Sequence, residues 1–235
     1  MTPRYVHLRL HSEYSIVDSI LSVEGAVEAA SADGMPALAL TDLANMFGMV
    51  KFYSAARKKG VKPILGCDAW IVGDGGTERL SRLLLLVQDR AGYLRLCELL
   101  TRAYRQPAMR GRPALHRAWF SELGTEGLIA LSGADQGDVG QSLGNAAWEP
   151  ALASARTWAA LFPGRYYLEV QRIQRPGNER LVGQTLRLAD TLALPVVATH
   201  PVQFRAREDH KAHEARLCIA EGYVMGDKRR PQNFS

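Results

Sequence analysis

His7-Leu8-Arg9-Leu10-His11-Ser12-Glu13-Tyr14-Ser15, followed by Asp18, is the stretch on which the fold of this chain turns. It predicts a strand over 6–10 that delivers polar side chains to its end and then breaks. Side chains alternate faces along a strand, so His7, Arg9 and His11 share one side and Leu8 and Leu10 the other. Two imidazoles and a carboxylate at a strand end are how a metal site begins. A guanidinium between them carries the wrong charge for one, and the functional reading rests on that conflict.

Working outward, short apolar runs alternate with helical patterns. A helix is expected over 23–33, with Ser22 as its N-cap and Gly34 past its end. Strand 37–41, helix 48–59 stopped by Gly60, and strand 62–65 follow, with 68–72 an extension or a separate strand. After the turn-rich 73–77 come strand 83–87 and an amphipathic helix over 90–105, whose apolar side takes in Leu94, Leu96, Leu99 and Leu100. A Pro/Gly/Arg-rich loop covers 106–113. Strands 128–131, 166–170 and 196–198 and helices 149–161, 178–192 and 208–221 complete the chain, before the basic tail Lys228-Arg229-Arg230-Pro231. Seven strands alternating with helices predict parallel β-α units in a closed or nearly closed barrel. No Gly-rich loop follows any strand, which removes the main support for a dinucleotide fold.

With 235 residues, 47% of them hydrophobic and 23% charged, the chain has the material for a sizeable core. No run approaches the ~18 apolar residues of a membrane helix, and no signal-peptide apolar region opens the sequence. The expectation is a cytoplasmic protein with no membrane partner. Cys67, Cys97 and Cys218 have no zinc-type spacing and read as reduced thiols. The net charge is +5, with Arg90, Arg95, Arg102, Arg105, Arg110, Arg112 and Arg117 crowded into one third of the chain. That crowding marks either a nucleic-acid surface or a solvated helix face and loop. No aromatics interleave with these arginines as stacking would require.

In β/α barrels the active site lies at the carboxyl ends of the strands. Those ends here carry His11-Ser12-Glu13, Thr41-Asp42, Asp68 and Thr199-His200, which predicts one shared polar pocket. His116, His210 and His213 have no motif context and read as surface or helix-face residues.

The opening stretch resembles the start of the polymerase-and-histidinol-phosphatase (PHP) domain found in the alpha subunit of bacterial DNA polymerase III. Gly34-Met35-Pro36-Ala37-Leu38-Ala39-Leu40-Thr41-Asp42, Lys51-Phe52-Tyr53 and Lys62-Pro63-Ile64-Leu65-Gly66-Cys67-Asp68 continue the likeness. Leu131-Ser132-Gly133, Tyr167-Leu168-Glu169 and Val196-Val197-Ala198-Thr199 carry it to the last strand. Arg230-Pro231-Gln232-Asn233-Phe234-Ser235 resembles the segment leading out of the domain. The resemblance implies an α/β fold, a distorted seven-stranded β/α barrel, with 1–235 as a single domain and the N-terminal fragment of a longer replicative polymerase subunit. In metal-bearing relatives the site holds up to three divalent ions. His11, Asp18 and Asp42 match ligand positions, and Asp68 stands where glutamate is usual. Arg9 and Arg82 stand where histidines are expected, as does Leu43. Ala134 replaces a common cysteine, and Pro201-Val202-Gln203 replaces an Asp-x-His.

Divalent ions need several deprotonated donors, about four for zinc. Leu43, Ala134 and Pro201 supply none. Arg9 and Arg82 add permanent positive charge, and a cation about 4 Å from a guanidinium meets a repulsion of roughly 4 kcal/mol at an effective dielectric near 20. The expectation is a vestigial pocket of Arg9, His11, Asp18, Asp42, Asp68 and Arg82, with His200 as a further candidate. In it Arg9, with Arg82, neutralises the carboxylates in place of metal. No catalytic residue, metal or cofactor is expected. The implied role is structural and docking: support of the rest of the polymerase subunit and of its proofreading exonuclease subunit, with DNA reached through the full-length protein. Two alternatives are a Zn- or Mn-dependent phosphoesterase or 3′-5′ exonuclease, and a DNA-binding module carried by the arginines of 90–117.

Overall fold

The computed structural model describes residues 5–73, 79–109, 111–173 and 175–229. The expected turn over 73–77 (Gly73 apart), Arg110 and the segment 230–235 lie outside those residues. The chain divides into two compact units, Met1–Leu65 with His200–Ser235, and Gly66–Thr199. Among the described residues no helix is long and apolar enough to cross a membrane.

In the first unit, α1 (Val23–Ala32) starts where the Ser22 hydroxyl accepts the Gly25 N–H and ends before Gly34, whose φ of +69° reverses the chain. The strand β1 (Ala37–Leu40) pairs in parallel with residues 62–65, Ala37 opposite Lys62 and Leu40 opposite Leu65. The connecting helix α2 (Met49–Lys58) buries Phe52 and Ala56. Leu10, Leu21, Val27, Leu38, Leu40 and Phe52 close one apolar cluster. Each such side chain withdrawn from water contributes about 1.5–3 kcal/mol. The helix α8 (His210–Glu221) follows a 3₁₀ turn at Arg207–Asp209, so the helix expected over 208–221 starts two residues late.

The strand expected over 6–10 does not form a ladder. Its segment is extended beside β1, with the His7 and Leu10 carbonyls accepting from Ala39 and Thr41. The Leu10 N–H, however, is taken by the Thr41 hydroxyl at 2.9 Å rather than by a backbone carbonyl, and only an isolated bridge joins Leu10 to Val202. Side-chain capture of the backbone donor interrupts the sheet here. Arg9, Leu10, His11 and Ser12 at this end are all buried.

Residues 62–65 and 68–72 prove to be one strand, β2 (Lys62–Val72), which belongs to the second unit from Gly66 on. β3 (Leu80–Val87) runs antiparallel both to β2, with Asp68 opposite Leu84, and to β5 (Leu128–Leu131). The all-parallel expectation is therefore wrong around β3. Only seven residues separate β2 from β3, and so short a connection returns a strand antiparallel, whereas a parallel partner needs a crossover. β6 (Tyr166–Val170) and β7 (Val196–Ala198) restore the parallel order, each following a helix. The run Leu83–Leu86 is buried on both faces of β3.

The helix α3 (Arg90–Arg105) is capped by the Asp89 carboxylate on the Gly92 N–H at 2.9 Å. It buries Leu96, Leu99 and Leu100 but leaves Leu94 exposed, a correction to the expected apolar face. A two-residue strand, β4 (Ala114–Leu115), joins β2, and α4 (Arg117–Leu123) and α5 (Asp138–Gly144) were not anticipated. These elements fall below the length at which periodicity becomes visible. α6 (Trp148–Leu161) and α7 (Asn178–Leu192) match expectation to within one residue. Phe120, Trp158 and Phe162 pack as an aromatic cluster, Phe120 meeting each of the others at 5.6 Å.

Candidate functional site

The expected pocket residues fall into two buried polar clusters, one in each unit. In the first, Asp42 sits past the end of β1 and is almost wholly buried. Its Oδ1 accepts the Ser12 N–H at 2.6 Å and the Ser15 hydroxyl at 2.8 Å, and the Ser12 hydroxyl reaches both carboxylate oxygens at 3.0 Å. Burial pushes the Asp42 pKa above the ordinary carboxylate range, partly offset by these hydrogen bonds and by His11. The Ser15 hydroxyl in turn accepts the Leu43 N–H at 2.9 Å. The sequence Ser12-Glu13-Tyr14-Ser15 reaches this geometry through a single 3₁₀ turn, Glu13–Ser15, capped by Ser12 itself.

His11, buried on the preceding segment, pairs through Nδ1 with Asp18 at 2.9 Å. Asp18 is anchored a second time, because its backbone carbonyl meets the His213 ring nitrogen Nε2 at 2.9 Å. His213 is 1% exposed on α8, so of the two readings, surface or helix face, the surface one is wrong. It is a core histidine of α8 stacked on Phe204, with ring centroids 5.0 Å apart, and burial lowers its pKa. Between these anchors Ile16 takes φ +64° with the Val17 N–H on the Ser15 carbonyl at 2.7 Å, a γ-turn of the rare hand for a β-branched residue.

In the second unit, Asp68 on β2 and Arg82 on β3 form a two-pronged ion pair, Nε to Oδ1 at 3.1 Å and Nη2 to Oδ2 at 2.7 Å. Asp68 is 0% and Arg82 5% exposed. The Arg82 guanidinium also lies 4.3 Å from the Trp70 ring centroid, and Arg112 stacks on the same ring at 4.2 Å. Glu169 on β6 was missed as a site residue. Its carboxylate is buried and accepts from the Thr199 hydroxyl at 2.5 Å and from the Gly133 N–H at 3.1 Å, while Ser132 Oγ accepts the Glu169 N–H. Ser132-Gly133 is explained here. Gly133 has φ +81°, and a Cβ on it would lie 2.3 Å from the Arg82 carbonyl. A carboxylate ending Tyr167-Leu168-Glu169 near a strand's carboxyl end is the signal that marks Glu169 in the sequence.

Arg9 is 4% exposed, as a buried cation must be to act on buried acids. His200 is exposed and lines a groove of about 640 Å³ with His7, Gln203, Phe204, Arg205 and Arg207; none of His11, Asp18 or Asp42 lines it. The expected single convergence therefore does not include His200. Among the described residues no group of three His, Cys, Asp or Glu side chains is arranged to hold a metal. The donor chemistry agrees with that. Both oxygens of Asp68 carry guanidinium hydrogen bonds, and both oxygens of Asp42 carry hydroxyl or amide hydrogen bonds. The residues present do not fit a multi-metal centre. Of the crowded arginines, Arg95 pairs with Glu126, Arg102 with Glu98 and Glu122, and Arg117 with Asp138.

The family model for the PHP domain matches residues 7–173. The chain is 46% identical over 235 residues to DNA polymerase III subunit alpha of Neisseria meningitidis serogroup A, covering 99% of this chain and 20% of that protein. It is 44% identical to DNA polymerase III subunit alpha of Pseudomonas fluorescens and 42% to that of Escherichia coli K12, again over 20% of their length. The chain thus spans about a fifth of the curated relatives it matches. Among solved structures, a protein named as a metal-dependent phosphoesterase from Bifidobacterium adolescentis superposes with a TM-score of 0.55 at 12% identity, covering 84% of this chain and 87% of that one. An amidohydrolase from Chromobacterium violaceum, with bound sulfate and no metal, gives 0.55 at 14% identity over 90% and 96%. At such identities the likeness shows the fold: α/β, of the barrel-like PHP kind.

Proposed function

We propose that this chain, which belongs to the PHP domain family, acts in DNA replication as the non-catalytic N-terminal domain of a DNA polymerase III alpha subunit. In that role it supports the rest of the cytoplasmic subunit and offers a docking surface to the proofreading exonuclease subunit, and contact with DNA is made by the full-length protein. The two units serve as one domain. The vestigial residues, Arg9, His11, Asp18 and Asp42 in one unit and Asp68 and Arg82 in the other, are held by fixed protein charge rather than by metal.

The Arg82–Asp68 pair carries this reading. A guanidinium that hydrogen-bonds both oxygens of a fully buried carboxylate occupies one lone pair on each and sets a permanent positive charge beside it, where a divalent cation would be repelled. A hydrolytic metal centre works the other way, with open coordination positions for water and substrate.

The test uses the pure chain with Mn²⁺ or Zn²⁺ and bis(p-nitrophenyl) phosphate, together with gel filtration against the exonuclease subunit. The expected result is no metal-dependent turnover and co-elution with the exonuclease subunit. Metal-dependent hydrolysis that disappears in Asp42→Asn would overturn the non-catalytic assignment in favour of a phosphoesterase.

A further inference from the structure

The groove beside α8 is built differently from the rest of the first unit. Its walls hold three histidines (His7, His200, His210), two arginines (Arg205, Arg207) and one aromatic ring, Phe204, and no acid. Arg205 and Arg207 are exposed, and neither makes an ion pair among the described residues. This sets them apart from Arg95, Arg102 and Arg117, which are tied to acids within the fold. The neighbouring acids do not cancel the groove. Asp209 accepts the Ala206 N–H at 3.0 Å, Glu208 lies on the exposed turn, and Asp33, which makes no ion pair with Arg205, lines an adjoining hollow of about 420 Å³ that His7, Phe204 and Arg205 also line. The His7 Nδ1 is a buried polar atom with no hydrogen-bond partner among the described residues. Phe204 is half-buried, held against the buried His213 at 5.0 Å and edge-on to His210 at 5.9 Å, so its ring is fixed in the groove wall.

Cationic side chains free of protein partners, along a concave wall with one braced aromatic face, are what a single nucleic-acid strand requires. The cations follow phosphates and the ring stacks a base. We propose that this groove binds single-stranded DNA, with Arg205 and Arg207 on the phosphate backbone and Phe204 as the stacking face. The choice of DNA over other phosphate-bearing polymers rests on the replication role proposed above. The groove is distinct from the arginine crowd of 90–117.

The experiment is fluorescence anisotropy of the chain with labelled oligo-dT, in EDTA, over a salt series. Each phosphate contact on a single strand contributes about 0.7 to the log–log salt slope, so Arg205→Ala with Arg207→Ala should lower the slope by about 1.4. Phe204→Leu, which keeps the packing volume, should weaken binding roughly five-fold or more at every salt concentration. The control pair Arg90→Ala with Arg105→Ala should leave the slope unchanged, and inorganic phosphate at matched ionic strength should not displace the oligonucleotide. The proposal is overturned if the wild-type chain does not bind oligo-dT, if the control pair lowers the slope as much as the groove pair, or if phosphate alone displaces the DNA. Because EDTA removes hydrolytic metal, failure here is separable from failure of the non-catalytic assignment, which reads turnover.

Discussion

Replacing Arg82 by methionine tests the electrostatic account most directly. In the wild type the pair is fully withdrawn from water, with two hydrogen bonds of 2.7 and 3.1 Å across neighbouring strands β2 and β3. Methionine keeps the length of the side chain and a favourable sulfur contact to the Trp70 ring, so packing is largely conserved and the lost quantity is charge. Taking one partner from a buried pair leaves the other charge in a medium that cannot solvate it, at a cost of about 3–5 kcal/mol. For a chain of this size each kcal/mol moves Tm by about 2–4 °C, so the expected fall is about 6–20 °C. The double variant Arg82→Met with Asp68→Leu removes both charges and should recover most of that loss, because a buried pair and an apolar replacement are close in stability. The assay is thermal unfolding by circular dichroism at low salt and again at about 1 M salt, where a Debye length of about 3 Å barely affects a pair with no water between its members. A single variant that melts within about 3 °C of wild type, or a double variant no better than the single, would refute the claim that Arg82 stabilises Asp68 in this fold.

Three further outcomes follow from the geometry. Burial raises the Asp42 pKa above 3.8, so the folded state keeps a proton that the unfolded chain releases, and stability falls as pH rises through that window. Asp42→Asn keeps an acceptor for Ser12 and Ser15, and urea melts should show it gaining on wild type between acid and neutral pH; a pH-independent difference would count against this. His213 has a pKa lowered from 6.5, so the unfolded chain takes up its proton first and wild-type stability drops as pH falls below about 6.5. His213→Gln retains a donor for the Asp18 carbonyl and should flatten that acid-side slope, whereas an unchanged slope would place the titration elsewhere. Gly133→Ala combines a positive φ, which costs about 1–3 kcal/mol for a residue with a Cβ, with a contact 2.3 Å from the Arg82 carbonyl. It should lower the denaturant midpoint and disturb the Glu169 hydrogen bond, and a variant as stable as wild type would mean that this turn is free to shift.

Helices and strands with long periodic or uniformly apolar patterns were legible from the residues alone. α3 and α7 match their predicted bounds, and Leu128–Leu131 and Tyr166–Val170 do likewise. What escaped was governed by tertiary partners. The segment at 6–10 has strand-like residues, yet a threonine hydroxyl from the neighbouring strand end takes the Leu10 amide, and no local pattern records that. The reversal at β3 depends on the connection, not on the strand, because Leu83–Leu86 reads the same in either direction. At the site, the residue types were visible and their pairings only partly so. Arg82 with Asp68 was anticipated as neutralisation. The hydroxyl cage around Asp42 was not, since Ser12 and Ser15 read as turn residues until a carboxylate is placed between them. His213 looked like a surface residue because its hydrogen bond goes to a main-chain carbonyl remote in sequence.

The two clusters share one property that bears on why a hydrolase-like fold would serve as scaffold. Each buried acid meets fixed donors: hydroxyls and an amide for Asp42, an imidazole for Asp18, a guanidinium for Asp68, a hydroxyl and an amide for Glu169. A polar network whose members are all satisfied is rigid, and each group in it is costly to expose. A hydrolytic site needs the opposite, a vacancy that water and substrate fill in turn. On our reading, substituting arginine for a metal-binding histidine at position 82 closes that vacancy while keeping the acids buried, so the same side chains that would bind a cation instead join strands. Rigidity of this kind suits the scaffold role proposed above.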